Sequence, residues 1–89
     1  MISHTTADFR RDFANLPPSI KKQARESYRL FLSDPKHPGL KFKKLPPHEN
    51  LWSVRISADH RAIGRWRNDV IVWFFIGSHA EYDKLLERL

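Results

Sequence analysis

Eighty-nine residues can enclose one hydrophobic core but not two, so the sequence is read as one domain spanning residues 1–89, and at 40% hydrophobic and 29% charged it is globular rather than disordered. The absence of cysteine excludes a disulfide scaffold, a cysteine zinc site and a cysteine nucleophile, and suits a reducing compartment. Sixteen Lys and Arg against ten Asp and Glu leave a net charge of +6, which fits a polyanion or an acidic protein as partner, or a merely solvated surface.

Met1-Ile2-Ser3-His4 lacks the apolar stretch of a signal peptide. The longest apolar run, Val70 to Ile76, is too short to span a bilayer, so a cytoplasmic protein with no membrane segment is expected. Ile2 to Thr5 carries too little pattern to decide between strand and coil. Thr6 to Leu16 reads as a helix, with Phe9, Phe13 and Leu16 at helical spacing. Pro17-Pro18 ends it, because neither proline donates a hydrogen bond and Pro17 pushes Leu16 out of the helical region. Pro18 to Ser33 is a second helix, with Ile20, Ala24, Ser27, Tyr28 and Phe31 on one face and Lys21, Lys22, Arg25, Glu26 and Arg29 on the other. The pair forms an αα-hairpin.

Asp34-Pro35 closes the second helix, and Lys36-His37-Pro38-Gly39 is a loop. Leu40 and Phe42 alternate with Lys41 and Lys43 and predict a half-buried strand. Trp52, Val54 and Ile56 alternate with Ser53, Arg55 and Ser57 in the next strand, and Arg61 to Trp66 forms another. Val70 to Ile76, apolar on both faces, suits a central strand. Ser78 with Glu81 is a capping box opening a last helix, whose stripe is Tyr82, Leu85, Leu86 and Leu89. The expected class is α+β: a small antiparallel sheet packed on an N-terminal helical hairpin, with a short C-terminal helix.

Side-chain polarity also predicts a register. A three-residue turn at Ala58-Asp59-His60 pairs Ser57 with Arg61, Arg55 with Ile63 and Ser53 with Arg65. A two-residue turn would place Arg61 and Arg65 on the apolar face, at a cost of several kcal/mol. An Asn68-Asp69 hairpin loop then pairs Arg67 with Val70, Arg65 with Val72, Ile63 with Phe74 and Arg61 with Ile76. The core face becomes Trp52, Val54, Ile56, Ala62, Trp66, Ile71, Trp73 and Phe75. The opposite face carries Ser53, Arg55, Ser57, Arg61 and Arg65 beside Ile63, Val72, Phe74 and Ile76. The last helix, a partner or stacked bases must partly cover it.

On that face Arg55 and Arg61 lie two strand positions apart and can converge on one phosphate. The start of the last helix adds N–H groups, with His79 in its first turn and Tyr82 one turn on. These four are the candidate catalytic residues. Two arginines, a histidine and a tyrosine suffice for metal-free RNA cleavage: a base takes the 2′-OH proton, cations hold the phosphorane and an acid protonates the leaving oxygen. Individually, each arginine is more often a solvated charge, His79 a helix-start hydrogen-bonder and Tyr82 a packed ring with a wet hydroxyl. Their convergence makes them a candidate site. Lys41, Lys43, Lys44 and Arg65 are assigned to RNA attraction, together with Arg10, Arg11 and Arg25. His4, His37, His48 and His60 show no metal-binding spacing, so no metal and no cofactor is expected.

The ordered pieces Leu16-Pro17, Asp34-Pro35, Leu40-Lys41-Phe42-Lys43-Lys44-Leu45, Trp52-Ser53-Val54-Arg55-Ile56, His60-Arg61-Ala62-Ile63-Gly64 and Ile76-Gly77-Ser78-His79-Ala80-Glu81-Tyr82 resemble the RelE/ParE superfamily of bacterial type II toxin–antitoxin toxins. The resemblance covers nearly the whole chain. For the RelE-like branch it implies messenger RNA cleavage, commonly on the ribosome, and neutralisation by a cognate antitoxin that wraps the toxin; the cationic strip makes an acidic antitoxin the expected partner, and attack by the 2′-oxygen without a metal predicts 2′,3′-cyclic phosphate products. Arg55 matches the basic position on the second strand, with Ser53 where some members carry a second cation. His60-Arg61 matches the family's aromatic-Arg pair. His79 occupies a position that is Arg or His in members, whereas Tyr82 falls a few residues before the family's C-terminal aromatic. The ParE branch, which poisons DNA gyrase, and a non-catalytic binding module of the same fold are the alternatives.

Overall fold

The computed structural model describes every residue from Met1 to Leu89. Its elements in chain order are β1 (Ile2–Thr5), α1 (Ala7–Ala14), α2 (Pro18–Ser33), a 3₁₀ turn (Pro38–Leu40), β2 (Lys43–Lys44), β3 (Leu51–Ser57), β4 (His60–Arg67), β5 (Val70–Ser78) and α3 (His79–Arg88). The five strands form one sheet in the order β1-β5-β4-β3-β2. No helix is long and apolar enough to cross a membrane.

The α+β class and the flanking helices are as expected, but the sheet is mixed. β2, β3, β4 and β5 pair antiparallel, whereas β1 runs parallel to β5, with Ile2 opposite Val70 and Thr5 opposite Trp73. Main-chain bonds hold β1 there: Ile2 N–H donates to Asp69 O at 2.7 Å and Thr6 N–H to Trp73 O at 3.0 Å. Trp73 Nε1 adds a bond to the Ser3 hydroxyl at 3.1 Å. A four-residue edge strand that is mostly exposed leaves no hydrophobic pattern to read.

The helical hairpin follows the proline signals. Thr6 caps α1 by accepting from Phe9 N–H at 3.1 Å, and Pro18 opens α2 in the first turn, where its missing N–H costs nothing. The predicted strand at Leu40–Phe42 is corrected. Pro38-Gly39 enters a 3₁₀ turn that His37 Nδ1 caps by accepting from Gly39 N–H at 3.0 Å, and Lys41 is left-handed at φ 46°. Strand pairing starts only at Lys43. Leu40 and Phe42 still turn inward, Leu40 into the core and Phe42 onto the Trp52 ring at 4.7 Å between centroids.

The register differs from the polarity argument at two bulges, each adding one residue to one strand. The β3–β4 turn has two residues, Ala58 and Asp59, because Ser57 pairs with His60. Ile56 is then extra, so Arg55 pairs with Arg61, Val54 with Ala62 and Ser53 with Ile63. This restores the arginines to the face away from Val54, which the three-residue turn had been invoked to achieve. In β4–β5 the Asn68-Asp69 loop is as predicted, with Asn68 at φ 54°, and Arg67–Val70 and Arg65–Val72 pair as expected. Beyond Gly64–Trp73 the residue Phe74 is extra, so Ile63 pairs with Phe75, Ala62 with Ile76 and Arg61 with Gly77. Ile76 therefore joins the hairpin side and Phe75 the opposite side, exchanging their predicted places.

Two clusters result. On the hairpin side Ala24, Phe31, Leu40, Val54, Ala62, Ile71, Trp73 and Ile76 are buried, with Phe9, Phe13, Ile56 and Trp66 packed around them. On the other side Leu45, Leu51, Ile63 and Tyr82 are buried beside Phe74, Phe75, Leu85 and Leu86. The last helix thus covers much of the apolar strip for which a partner or stacked bases were alternatives. Ile63 is 0% exposed and beyond the reach of any partner.

The capping box of α3 forms as predicted. Glu81 N–H donates to Ser78 Oγ at 3.2 Å and Ser78 N–H to Glu81 Oε1 at 2.9 Å. The Ser78 N–H, then the Ser78 side chain, then the charges of His60 and Lys84 hold the Glu81 carboxyl below its usual range. A carboxyl depressed in the folded state contributes stability above its unfolded value of 4.5, and loses it as pH falls through the folded value. The melting-temperature difference between wild type and Glu81→Gln is therefore expected to be constant above about pH 5.5 and to shrink in acid. At Gly64 a Cβ would sit 2.9 Å from Ile71 Cγ1 and 2.9 Å from Trp73 Cε3. Both side chains are buried, so Gly64→Ala should cost about 1–3 kcal/mol in urea unfolding, as other overpacked cores do.

Candidate functional site

The bulge at Ile56 brings Arg55 and Arg61 directly opposite each other, closer than the predicted two-position offset. Like charges in that relation repel. Arg61 eases this by turning Nη1 onto the β3–β4 turn, donating to Ser57 O at 2.7 Å, His60 O at 2.9 Å and Ala58 O at 3.5 Å. Its other guanidinium nitrogens have no protein partner. The group is held in place yet keeps donors for an anion.

On its other side Arg61 pairs with Gly77, and the chain enters α3 two residues later. His79 N–H donates to Asp59 O at 2.6 Å, which ties the helix start to the β3–β4 turn. Its Nδ1 lies 3.1 Å from Asp83 Oδ2 one turn on, leaving Nε2 without a protein partner. The helix start has less to offer an anion than predicted: Asp59 O takes the His79 N–H and Ser78 Oγ takes the Glu81 N–H.

Tyr82 meets the His79 ring edge-on at 5.7 Å, but it is only 7% exposed and belongs to the second core cluster. Its ring has no free face for a base. Its hydroxyl makes no hydrogen bond to protein and is not enclosed. The predicted attracting cations extend away from this cluster along the sheet, beginning with Lys43 opposite Ser53, two residues and about 7 Å from Arg55. Lys43 and Lys44 pair with Ser53 and Trp52 near the start of β3, four residues from Ser57, which is about 13 Å along a strand. Exposed Lys41 lies in the turn before them. Arg65 lies opposite Leu51 with its guanidinium 5.2 Å from the Phe74 ring centre.

Sequence reasoning gave His60 a family position beside Arg61 but no chemical role. It opens β4, pairs with Ser57 on one side and Ser78 on the other, and is half-buried. Its Nδ1 lies 3.0 Å from Ser57 Oγ. Metal-ligand spacing was the wrong filter for it; adjacency to Arg61 at a strand start was the usable signal. No three side chains of His, Asp or Glu gather as a metal site would need. A hollow of about 730 Å³ lies away from these groups on the hairpin side, lined by Phe9, Arg10, Phe13, Tyr28, Phe31 and Ile56 among others.

Residues 18–84 match the model of the ParE-like toxin domain. No curated protein sequence matches the chain significantly. Among solved structures, the RelB–RelE antitoxin–toxin complex of Methanococcus jannaschii contains a chain similar to this one with a TM-score of 0.75 and 14% identity, covering 92% of this chain and 96% of that one. The YoeB/ParE toxin of Agrobacterium tumefaciens is similar with a TM-score of 0.71 and 19% identity, covering 89% and 99%. A chain of the Escherichia coli DinJ–YafQ complex is similar with a TM-score of 0.70 and 12% identity, covering 89% and 93%. At these identities the structural likeness concerns the fold, and the domain match covers most of the sequence. The chain belongs to the ParE-like toxin family, within the RelE/ParE superfamily.

Proposed function

We propose that this protein is the toxin of a toxin–antitoxin pair and cleaves messenger RNA, free or on the ribosome, without a metal. The observation that carries this reading is the gathering of Arg55, Arg61 and His79 where β3, β4 and β5 meet the start of α3. Arg61, helped by Arg55, binds the scissile phosphate and stabilises the charge that develops on it. His79 Nε2 takes the 2′-hydroxyl proton, because Asp83 favours the tautomer that carries hydrogen on Nδ1. The 2′-oxygen attacks phosphorus, the bond to the 5′-oxygen breaks, and the products are a 2′,3′-cyclic phosphate and a 5′-hydroxyl. Lys41, Lys43, Lys44 and Arg65 attract the strand at longer range.

The antitoxin assignment is supported by similar structures, among them the antitoxin–toxin complex of Methanococcus jannaschii and the RelBE toxin–antitoxin complex of Escherichia coli. A net charge of +6 favours an acidic partner and fast, salt-dependent association. With Ile63 already covered by α3, such a partner would meet the arginines and the half-buried Val72 and Phe74 rather than the whole predicted strip.

The test is induction of wild type, Arg61→Ala, His79→Ala and Lys21→Ala, scoring growth arrest and messenger RNA cleavage, with folding checked for each. Arg61→Ala should lower the cleavage rate by about 10²–10³, as loss of one transition-state donor does. His79→Ala should lower it by about 10²–10⁴. Lys21→Ala should act only through weaker, salt-dependent binding. Products should be cyclic phosphates and should form in excess chelator. Folded Arg61→Ala and His79→Ala proteins that cleave as wild type does would refute the site. Intact RNA with failing DNA supercoiling would replace this reading by gyrase inhibition.

A further inference from the structure

We infer that Lys43 holds the phosphate on the 3′ side of the cleaved one, so that RNA lies with its 5′ portion at the start of α3 and its 3′ portion toward β2. The inference rests on the endoribonuclease reading and gives that site a second phosphate position and a strand polarity.

Alternation separates the two adjacent lysines. Lys43 is directly opposite Ser53, and Lys44 directly opposite Trp52. Residues paired in this way share a face of the sheet. Ser53 pairs onward with Ile63, two residues from Arg61, whereas Trp52 pairs with Gly64, two residues from Ala62. Lys43 therefore stands on the face of Arg55 and Arg61, and Lys44 on the hairpin face. Lys41 precedes the pairing, in the left-handed turn. Arg65 shares the site face, but its guanidinium lies against Phe74 of β5, away from β2. Among the four attracting cations, Lys43 alone extends the arginine pair across β3. It is diagonal to Arg55, about 7–8 Å away between backbones. Lys43 is exposed, and no ion pair in the chain uses Lys43, Arg55 or Arg61. All three are free to meet phosphates, and the flexible stem of Lys43 reaches the one beside that gripped by the arginines.

The reaction decides which neighbour this is. The attacking 2′-oxygen belongs to the nucleotide on the 5′ side of the cleaved phosphate, and the leaving 5′-oxygen to the one on the 3′ side. The two oxygens lie roughly in line through phosphorus. His79, the base for the 2′-hydroxyl, follows Ser78, which pairs with His60. That is one residue from Arg61 toward the β3–β4 turn, where His79 N–H meets Asp59 O. Ser53 and its partner Lys43 lie two residues from Arg55 in the opposite direction. The base and Lys43 thus flank the arginine pair. With the 5′ nucleotide at His79, the 3′ nucleotide and its next phosphate fall toward Lys43.

Neutralising one phosphate at a time tests the assignment. Purified protein is given, free and on the ribosome, a short RNA that is 2′-deoxy at every position but one, so that only one phosphate can be cleaved. Three forms are made: fully charged, with a neutral methylphosphonate immediately 3′ of the cleaved phosphate, and with one immediately 5′ of it. At low salt wild type should cleave the 3′ form about tenfold slower than charged RNA, the scale of one charge-assisted hydrogen bond, and the 5′ form within about twofold of it. Lys43→Ala should cleave charged RNA about tenfold slower than wild type and lose no more on the 3′ form. Lys44→Ala, which weakens only long-range attraction, should keep the difference between the charged and 3′ forms. A Lys43→Ala protein that still loses tenfold on the 3′ form overturns the inference, as does a wild type indifferent to that substitution. So does a loss confined to the 5′ form, because the polarity is then reversed. A wild type that cleaves none of the RNAs overturns the endoribonuclease reading itself.

Discussion

Side chains along a strand alternate between the two faces of a sheet, and this alternation governs where every charge in the molecule can go. β4 must keep Ala62 toward the hairpin and Arg61 away from it. A two-residue turn after Ser57 with unbroken pairing would give the reverse, with Arg61 beside Val54 in the core. The extra residue Ile56 absorbs the conflict. The extra residue Phe74 does the same for β5, carrying Ile76 to the hairpin core while Gly77 comes beside Arg61. The tight turn, the two cores and the arginine pair are compatible only because the β3–β4 and β4–β5 ladders each skip one step.

What could be read beforehand follows the same logic. The proline-bounded helices, the Asn68-Asp69 loop and the Ser78–Glu81 box are local signals, and they hold in the structure. The face of Arg55, Arg61 and the apolar residues of β3 was legible from polarity alone. The residue-by-residue pairing was not, because a three-residue turn and a two-residue turn with a bulge give the same alternation. β1 was illegible because main-chain bonds rather than buried side chains hold it. The 3₁₀ turn at Pro38–Leu40 imitates strand alternation because it too turns Leu40 and Phe42 inward while leaving Lys41 outside.

In the site, legibility depended on what each residue was tested for. Arg61 and His79 stood out through their chemistry and family position, and the fold sets both at one end of β4. Tyr82 was chosen for its hydroxyl, yet most of its surface serves packing. The lysines near residues 41–44 are adjacent in sequence to the core of the fold but lie near the far end of β3 from Ser57. His60 was judged by metal spacing, which says nothing about a histidine whose neighbours come from two other strands.

The facing pair of Arg55 and Arg61 ties the molecule's stability to its ionic surroundings. Two cations set opposite each other by backbone pairing stay neighbours even with Arg61 turned onto the β3–β4 turn, so the unliganded fold carries part of their repulsion. Anything anionic that settles between them relieves it and binds the folded chain better than the unfolded one, raising stability by mass action. Dissolved salt screens the same repulsion without occupying the site. The same chain alone in dilute buffer is thus less stable than with salt or an anion beside the pair, and its endurance depends on the charge of the company it keeps.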